Sequence, residues 1–311
     1  MSIVIWVDAA HMSFDNSVSH KLRQLISASD AAADLSDGMR LALKVNTAEE
    51  GYEYGLRPGL LRVVAEMVNA ATNTRPVICD GIKLVDYWKK SMGNLFMKVA
   101  SAAGYSSETL GAHFVINGGF SGDEGDLFPC ELPDSELGGV EVGTAVCRSD
   151  ALWVLSHVTL HPLFGLSGAL LNGGFECLVG RAKTRVLQGV NPYPFNGQRT
   201  PQQDLKAFQR RALECLLSVR NSVEGRVFYI NYLWDITPQP EYFPYSDGPL
   251  VGNLGFLASS DPVALDGATF NLLWQEGAGI EDGIAADFPK LLSEAETMGL
   301  GSSDWALKRL S

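Results

Sequence analysis

Short apolar runs recur along this chain, and most are separated by longer stretches with helical spacing. Runs at residues 3–7, 41–45, 76–79, 112–116, 140–146, 151–157, 227–234 and 254–258 are rich in β-branched and aromatic residues. They predict strands. Between them, residues 20–35, 57–73, 87–103 and 201–220 carry apolar positions three and four apart and predict helices. Pro58 at a first helical position and Gly104 as a C-terminal stop support two of these. Residues 287–298 read as one more amphipathic helix, with another helix and a last strand in the segment from Tyr242 onward. Residues 121–136 are acidic and rich in turn formers, so they predict a surface loop, and residues 190–201 predict an irregular linker. The alternation of strand and helix predicts an α/β fold: a mostly parallel open sheet with helices on both faces. The whole of residues 1–311 is expected to form a single α/β unit, with two intertwined lobes, 1–120 and 138–311, as the alternative division.

The stretch from Val227 to Asp266 organises the candidate chemistry. Its first strand ends in Asn231, Asp235 and Thr237. Pro238, Pro240, Pro244 and Pro249 then forbid regular structure and leave a long loop. After the run 254–258, Asp261 and Pro262 open a helix, Asp at the N-cap and Pro at the first position. Ligands of open α/β sheets collect outside the carboxyl ends of the strands. Asn46, Asp80, His157 and Asp235 all stand at predicted strand ends and are expected on one edge.

His157 reads as a general acid/base, against a core histidine bonded to backbone. Asp235, which follows a fully apolar run, reads as its orienter or as a second acid/base. Asp266 shares a helix face with Val263, Phe270 and Leu273, so its carboxylate is expected to be buried and to need a partner or a raised pKa. Asp261 also reads as a helix cap, and Asp247, before Gly248-Pro249, as a turn former. His157 and His161 do not read as a helical zinc pair. Pro162 disfavours helix at His161, and an extended spacing of four residues spans about 13 Å. The glycine-rich block from Gly165 to Gly174, with Gly168 and Asn172, is suited to cradle an anion, and Arg181 and Lys183 follow it. Lys206, Arg210 and Arg211 read as a solvated helix face.

The chain of 311 residues has a net charge of −12 and a pI near 4.9. That argues against nucleic acid or an anionic membrane as partner. The residues before Asp8 are apolar but lack a basic start, so no signal peptide is expected. The five cysteines are scattered, as expected for reduced thiols in cytoplasm, and no two have zinc or iron–sulfur spacing.

The runs INYLWDITP and PYSDGPLVGNLGFLASSDPVALDGA resemble the C-terminal signature of the domain of unknown function 362 family. LALKVNT, LSHVTLHPLFGLSGALLNGG and the Gly-Arg-Ala-Lys ending at Lys183 agree with it, so the resemblance covers about residues 39–275. It implies the label of an uncharacterised iron–sulfur-centre protein. This chain departs from the pattern, because no cysteine-rich segment follows the glycine block and Gln239-Pro240-Glu241 stands where family members carry cysteines. Leu171 also replaces a lysine often found beside the glycine-block asparagine.

The expectation is therefore a cluster-free cytoplasmic enzyme acting on a small anionic or conjugated metabolite. Its chemistry is expected to be acid/base, of isomerase, lyase or cyclase type, with no cofactor. Its catalytic residues are expected to be His157, Asp235 and Asp266. Lys44, Asn46, Gly168, Asn172, Lys183, Asn231, Asp247 and Asp261 are expected to bind the substrate. The alternatives are a redox protein served by a separate ferredoxin or flavin partner, a divalent-metal enzyme built on Asp235, Asp247 and Asp261, and a non-catalytic ligand-binding relative. Magnesium, calcium or manganese would suit those oxygen ligands. Self-association into a homo-oligomer is left open.

Overall fold

The structure is a computed structural model describing residues 1–84, 88–191, 200–280 and 282–310. In chain order the first part contains β1 (Ser2–Val7), α1 (Val18–Ala28), β2 (Leu41–Val45), α2 (Pro58–Thr72) and β3 (Val77–Gly81). It continues with α3 (Gly93–Ala102), α4 (Ser107–Leu110) and β4 (His113–Asn117). Next come the hairpin of β5 (Gly125–Pro129) and β6 (Gly139–Gly143), then α5 (Thr144–Cys147) and β7 (Ala151–His157). A small hairpin, β8 (Thr159–His161) and β9 (Gly165–Ser167), leads into α6 (Ala169–Gly173), α7 (Gly180–Val186) and α8 (Gln202–Ser222). The chain closes with β10 (Val227–Leu233), β11 (Gly255–Ser259), α9 (Pro262–Gln275), α10 (Gly283–Ala286), α11 (Phe288–Thr297) and β12 (Trp305–Leu310).

Eight strands form one sheet in the order β12-β1-β11-β10-β7-β2-β3-β4. β10, β7, β2, β3 and β4 pair parallel, as do β12 and β1, while β11 runs antiparallel to both of its neighbours. The mostly parallel sheet with helices on both faces is thus the observed fold. Strand alternation divides its core. Ala42, Leu152, Val154 and Tyr229 pack toward the layer of α6, α8 and α9, whereas Leu43, Trp153, Leu155 and Ile230 pack toward α1 and α2. β2 and β7 are buried along their whole length, as strands covered on both faces must be. Each Leu or Val buried there stabilises the fold by about 1.5–3 kcal/mol.

Several local expectations are corrected. Residues 121–136 do not stay a loop, because β5 lies within them and pairs with β6. The strand expected over 140–146 stops at Gly143, where α5 begins. The helix expected over 87–103 is a 3₁₀ turn, Lys89–Ser91, followed by α3, and residue 87 lies outside the described residues. Residues 192–199 of the expected linker also lie outside them. β12, which closes the sheet beyond β1, was not foreseen as a C-terminal edge strand.

The reversal of β11 matters most. Ser259, at its C-terminal end, faces Tyr229 near the start of β10. Asp261 therefore lies on the opposite sheet edge from Asn46, His157 and Asp235. There Ser2, at the start of β1, donates to Asp261 Oδ2 at 2.6 Å.

Candidate active site

The carboxyl ends of β2 and β3 hold a cluster of buried charges. Lys44 lies in a fully buried strand, so its ammonium must find partners inside the protein. It donates to the Val45 carbonyl at 2.7 Å, to Asn46 Oδ1 at 2.8 Å and to Asp80 Oδ1 at 3.2 Å. Asp80 Oδ2 accepts from Thr47 N, Thr47 Oγ1 and Lys90 Nζ at 3.0, 2.8 and 2.9 Å. Lys83 Nζ stands 3.5 Å from Asp80 Oδ1 and 3.0 Å from Glu176 Oε2. Lys183 Nζ reaches the same Glu176 oxygen at 2.7 Å and the Ile82 carbonyl at 3.2 Å. Asn46 Nδ2 donates to Asn172 Oδ1 at 2.8 Å, which ties the glycine block to this cluster.

The four lysines face Asp80, Glu176 and Glu49, all buried, which leaves one positive charge in excess. The electrostatics follow from this arrangement. Burial pushes the Asp80 carboxyl up, but Lys83, Lys90 and Lys44 outweigh it and hold the group well below its usual range. Burial acts the same way on Glu176, where Lys183 and Lys83 hold it ionised. Burial lowers Lys90 to about 8. It also lowers Lys183, with Lys83 and Lys44 adding to the effect against Glu176. Lys83 goes the other way, since Asp80 and Glu176 overcome its burial.

The cluster opens into a cavity of about 40 Å³, lined in part by Lys83, His161, Phe175, Glu176, Lys183 and Tyr242. It has room for a few waters or for one end of a small metabolite. His161 Nδ1 accepts the backbone N–H groups of Leu163 and Phe164 at 3.2 and 3.1 Å. That fixes the proton on Nε2, which lies 3.4 Å from Tyr242 Oη. Burial lowers His161 to about 4, so the ring is neutral near pH 7. Leu84 and Leu187 continue from this cavity into a wider outer groove that also includes Thr184, Arg185 and Val190.

The structure brings Lys44, Asn46, Asn172 and Lys183 together here, but not the expected His157–Asp235 pair. His157 Nδ1 lies 3.1 Å from Glu241 Oε1, and Nε2 faces the carbonyls of Trp234 and Asp235 at 2.8 and 3.2 Å. The Asp235 carboxylate turns away to Arg57, 3.4 Å distant, because the residue adopts left-handed backbone at φ +50. Burial lowers the His157 pKa, but Glu241 and the two carbonyls outweigh it and raise it above its ordinary value.

Such a pair stabilises the loop fully below the ordinary histidine pKa of 6.5, and the effect is lost as pH rises through the folded value. An NMR titration should find the His157 imidazole still protonated above pH 6.5, with Glu241→Gln shifting the midpoint down. An unmoved midpoint would mean that Glu241 does not hold the charge.

Asp266 and Asn231 are also removed from the cavity. Asp266 is fully buried; Oδ1 accepts from Ala169 N at 2.8 Å and Asn231 Nδ2 at 2.9 Å, and Oδ2 from Leu170 N at 2.9 Å. The carboxylate anchors the start of α6. Gly168 is required for that approach, since a Cβ there would lie 2.3 Å from Asp266 Oδ1. Asp261 caps α9 through Val263 N and Ala264 N at 2.9 and 3.0 Å. Asp247 is exposed and accepts from Gln239 Nε2 at 3.1 Å. With Asp261 on the other edge, Asp235, Asp247 and Asp261 cannot share one divalent ion, which corrects that alternative.

No group of three His, Cys, Asp or Glu residues among those described is placed to hold a metal. No three cysteines among the described residues come together either, and burial pushes the thiols of Cys79, Cys177 and Cys215 up, away from the thiolate that a cluster needs. The residues present therefore do not fit an iron–sulfur cluster. No described helix is long and apolar enough to cross a membrane.

The sequence reading missed Lys83, Lys90, Glu176, His161 and Glu241. Glu176 carried a usable signal. It is a lone carboxylate in the apolar context Gly-Gly-Phe-Glu-Cys-Leu-Val, the argument applied to Asp235.

A family model described as Domain of unknown function (DUF362) matches residues 41–271. Among solved structures, the chain is similar to the lactate racemase apoprotein from Thermoanaerobacterium thermosaccharolyticum, at 13% identity and a TM-score of 0.47. That match covers 87% of this chain and 57% of the other. A protein from Thermotoga maritima is similar at 11% identity and a TM-score of 0.38, over 92% of this chain and 61% of the other. The chain thus spans less than two thirds of either protein, and neither likeness bears on activity. No curated protein matches.

Proposed function

The chain belongs to the DUF362 family, and from that premise we propose an enzyme that acts on a small anionic metabolite by acid/base chemistry of the isomerase or lyase type. The observation that carries this reading is the pair of buried lysines, Lys83 and Lys183, on one oxygen of Glu176 at the cavity wall. Lys83, bound to two carboxylates, keeps its charge and anchors the anion. Neutral His161 offers Nε2–H to an oxygen on which charge builds, a donor that needs no proton transfer. The Lys183–Glu176 pair moves the proton, because burial and neighbouring ammonium groups both act against the charge on Lys183.

Deuterium exchange into pyruvate, malate and malonate, followed by proton NMR, tests the reading. The protein should catalyse loss of the C–H signal beside a carboxyl or carbonyl group in at least one of them. Lys183→Met should lower that rate about 10²–10⁴-fold while the acid still raises the melting temperature, and Lys83→Met should abolish the rise itself. No exchange and no stabilisation with any acid would overturn the reading.

A further inference from the structure

Resting on the reading above, we infer that Lys183 holds its substrate covalently, as an imine with the carbonyl carbon of a 2-oxo acid. An imine-forming lysine needs an amine that gives up its proton, an apolar wall beside it, and a second cation for the rest of the substrate. Lys183 meets all three conditions. Its Nζ is buried on the cavity wall, 5.4 Å from the centre of the Phe175 ring, and Ile82, Leu163, Leu187 and Phe208 line the same space. Both Nζ atoms, of Lys83 and Lys183, approach Glu176 Oε2, so one oxygen serves two ammonium groups. Among the described residues, Lys83 has Asp80 as a second carboxylate partner, whereas the ammonium of Lys183 bonds to the Ile82 carbonyl alone besides Glu176. Of the two, Lys183 is therefore the one that releases its proton. Burial and the charge of Lys83 act in the same direction.

Gly81 fixes the approach. A Cβ at that position would lie 3.0 Å from Lys183 Nζ and 3.1 Å from the Glu176 carbonyl oxygen. The cavity leaves room at the amine for a carbonyl carbon and little beyond a short acid. Lys83 faces the carboxylate of that acid, and the His161 Nε2–H supports the carbonyl oxygen as it becomes a hydroxyl.

The chemistry balances without an oxidant. The Lys183 nitrogen pair bonds to C2, and the C=O pair moves to oxygen. The C–O bond then breaks and water leaves. Of the three protons on the starting ammonium, two leave in that water and one stays on the imine nitrogen. The role of the Lys183–Glu176 pair then divides, with the nitrogen drawing electrons and the carboxylate taking the C3 proton.

The test is reductive trapping of the intact protein with pyruvate and sodium borohydride, read by intact mass and peptide mapping. One pyruvate-derived group should be fixed at Lys183, with roughly tenfold more there than at any exposed lysine, as expected of one activated amine. Malonate, which has the charge but no carbonyl, should protect against it. Lys183→Arg should lose the adduct, and the wild-type peptide map locates it even if that variant does not fold. Saturable stabilisation by pyruvate with no adduct at Lys183 would overturn the imine and leave the anion-binding reading standing. Absence of both would overturn the two together. Labelling spread evenly over the lysines would also overturn the imine.

Discussion

Replacing Asp80 by Asn lowers the stability of the protein by about 3–5 kcal/mol, the usual result of removing one partner from a buried ionic group. Asp80 is fully buried and touches three ammonium groups, those of Lys44, Lys83 and Lys90. The amide keeps the shape but withdraws the charge, and its NH₂ would face donors. Lys90 suffers most. Among the described residues the remaining hydrogen-bond acceptors of its ammonium are the carbonyl and hydroxyl of Thr47, both uncharged, while the nearby Glu49 carboxylate is bonded to the Lys90 backbone N–H instead.

Urea unfolding of Asp80→Asn, Lys90→Met and the double variant measures this. The double variant should be more stable than the sum of the two losses predicts, because Lys90→Met removes one of the charges stranded by Asp80→Asn. Since the folded Asp80 pKa lies below its ordinary value of 3.8, its contribution is complete above that pH and declines as pH falls below it. A single-variant loss under about 1 kcal/mol, the scale of an exposed pair, would mean that the cluster is looser than its geometry indicates.

The sequence shows most of the sheet and little of this cluster, and the reason is physical. β2 and β7 begin and end where their apolar runs do, because strands buried on both faces leave no other pattern. The N-cap at Asp261 is equally local, as it needs only a side-chain oxygen and the amides of Val263 and Ala264. The direction of β11 is not local. The run 254–258 reads the same either way, and pairing with β10 and β1 decides that Asp261 leaves the ligand edge. His157 shows the same limit. Its strand-end position was legible, but the partner comes from the proline-rich loop, where the left-handed turn at Asp235 directs that carboxylate outward and Glu241 lies buried against Nδ1. Lys83 and Lys90 look like ordinary surface lysines in the sequence. Only the proximity of β2, β3 and the segment after α6 makes them buried.

Asp266→Asn and Gly168→Ala should fail in the same way, by loosening the start of α6 rather than by stopping chemistry. The three donors to Asp266, Ala169 N, Leu170 N and Asn231 Nδ2, are buried, and an asparagine could satisfy them with one oxygen only. Each unmet donor costs about 1–3 kcal/mol. The alanine methyl at residue 168 would press on the same oxygen from the backbone side, at a cost of about 1–3 kcal/mol. Because both changes disrupt one contact, the double variant should lose less than their sum.

A pH signature separates this site from Asp80. Burial pushes the Asp266 carboxyl up to about 6, against its three donors, from an ordinary value of 3.8. The folded state therefore binds this proton more tightly than the unfolded one, so stability from Asp266 is greatest below the ordinary value and declines as pH rises through about 6. A shift of this size corresponds to about 3 kcal/mol. Asp80 gives the opposite slope, and only below pH 4. Urea unfolding at pH 4.5 and pH 7 should show the Asp266 contribution in wild type and lose it in Asp266→Asn. A variant that keeps both wild-type stability and the pH slope, yet no longer exchanges the substrate proton, would return Asp266 to the catalytic role that its buried position on α9 first suggested.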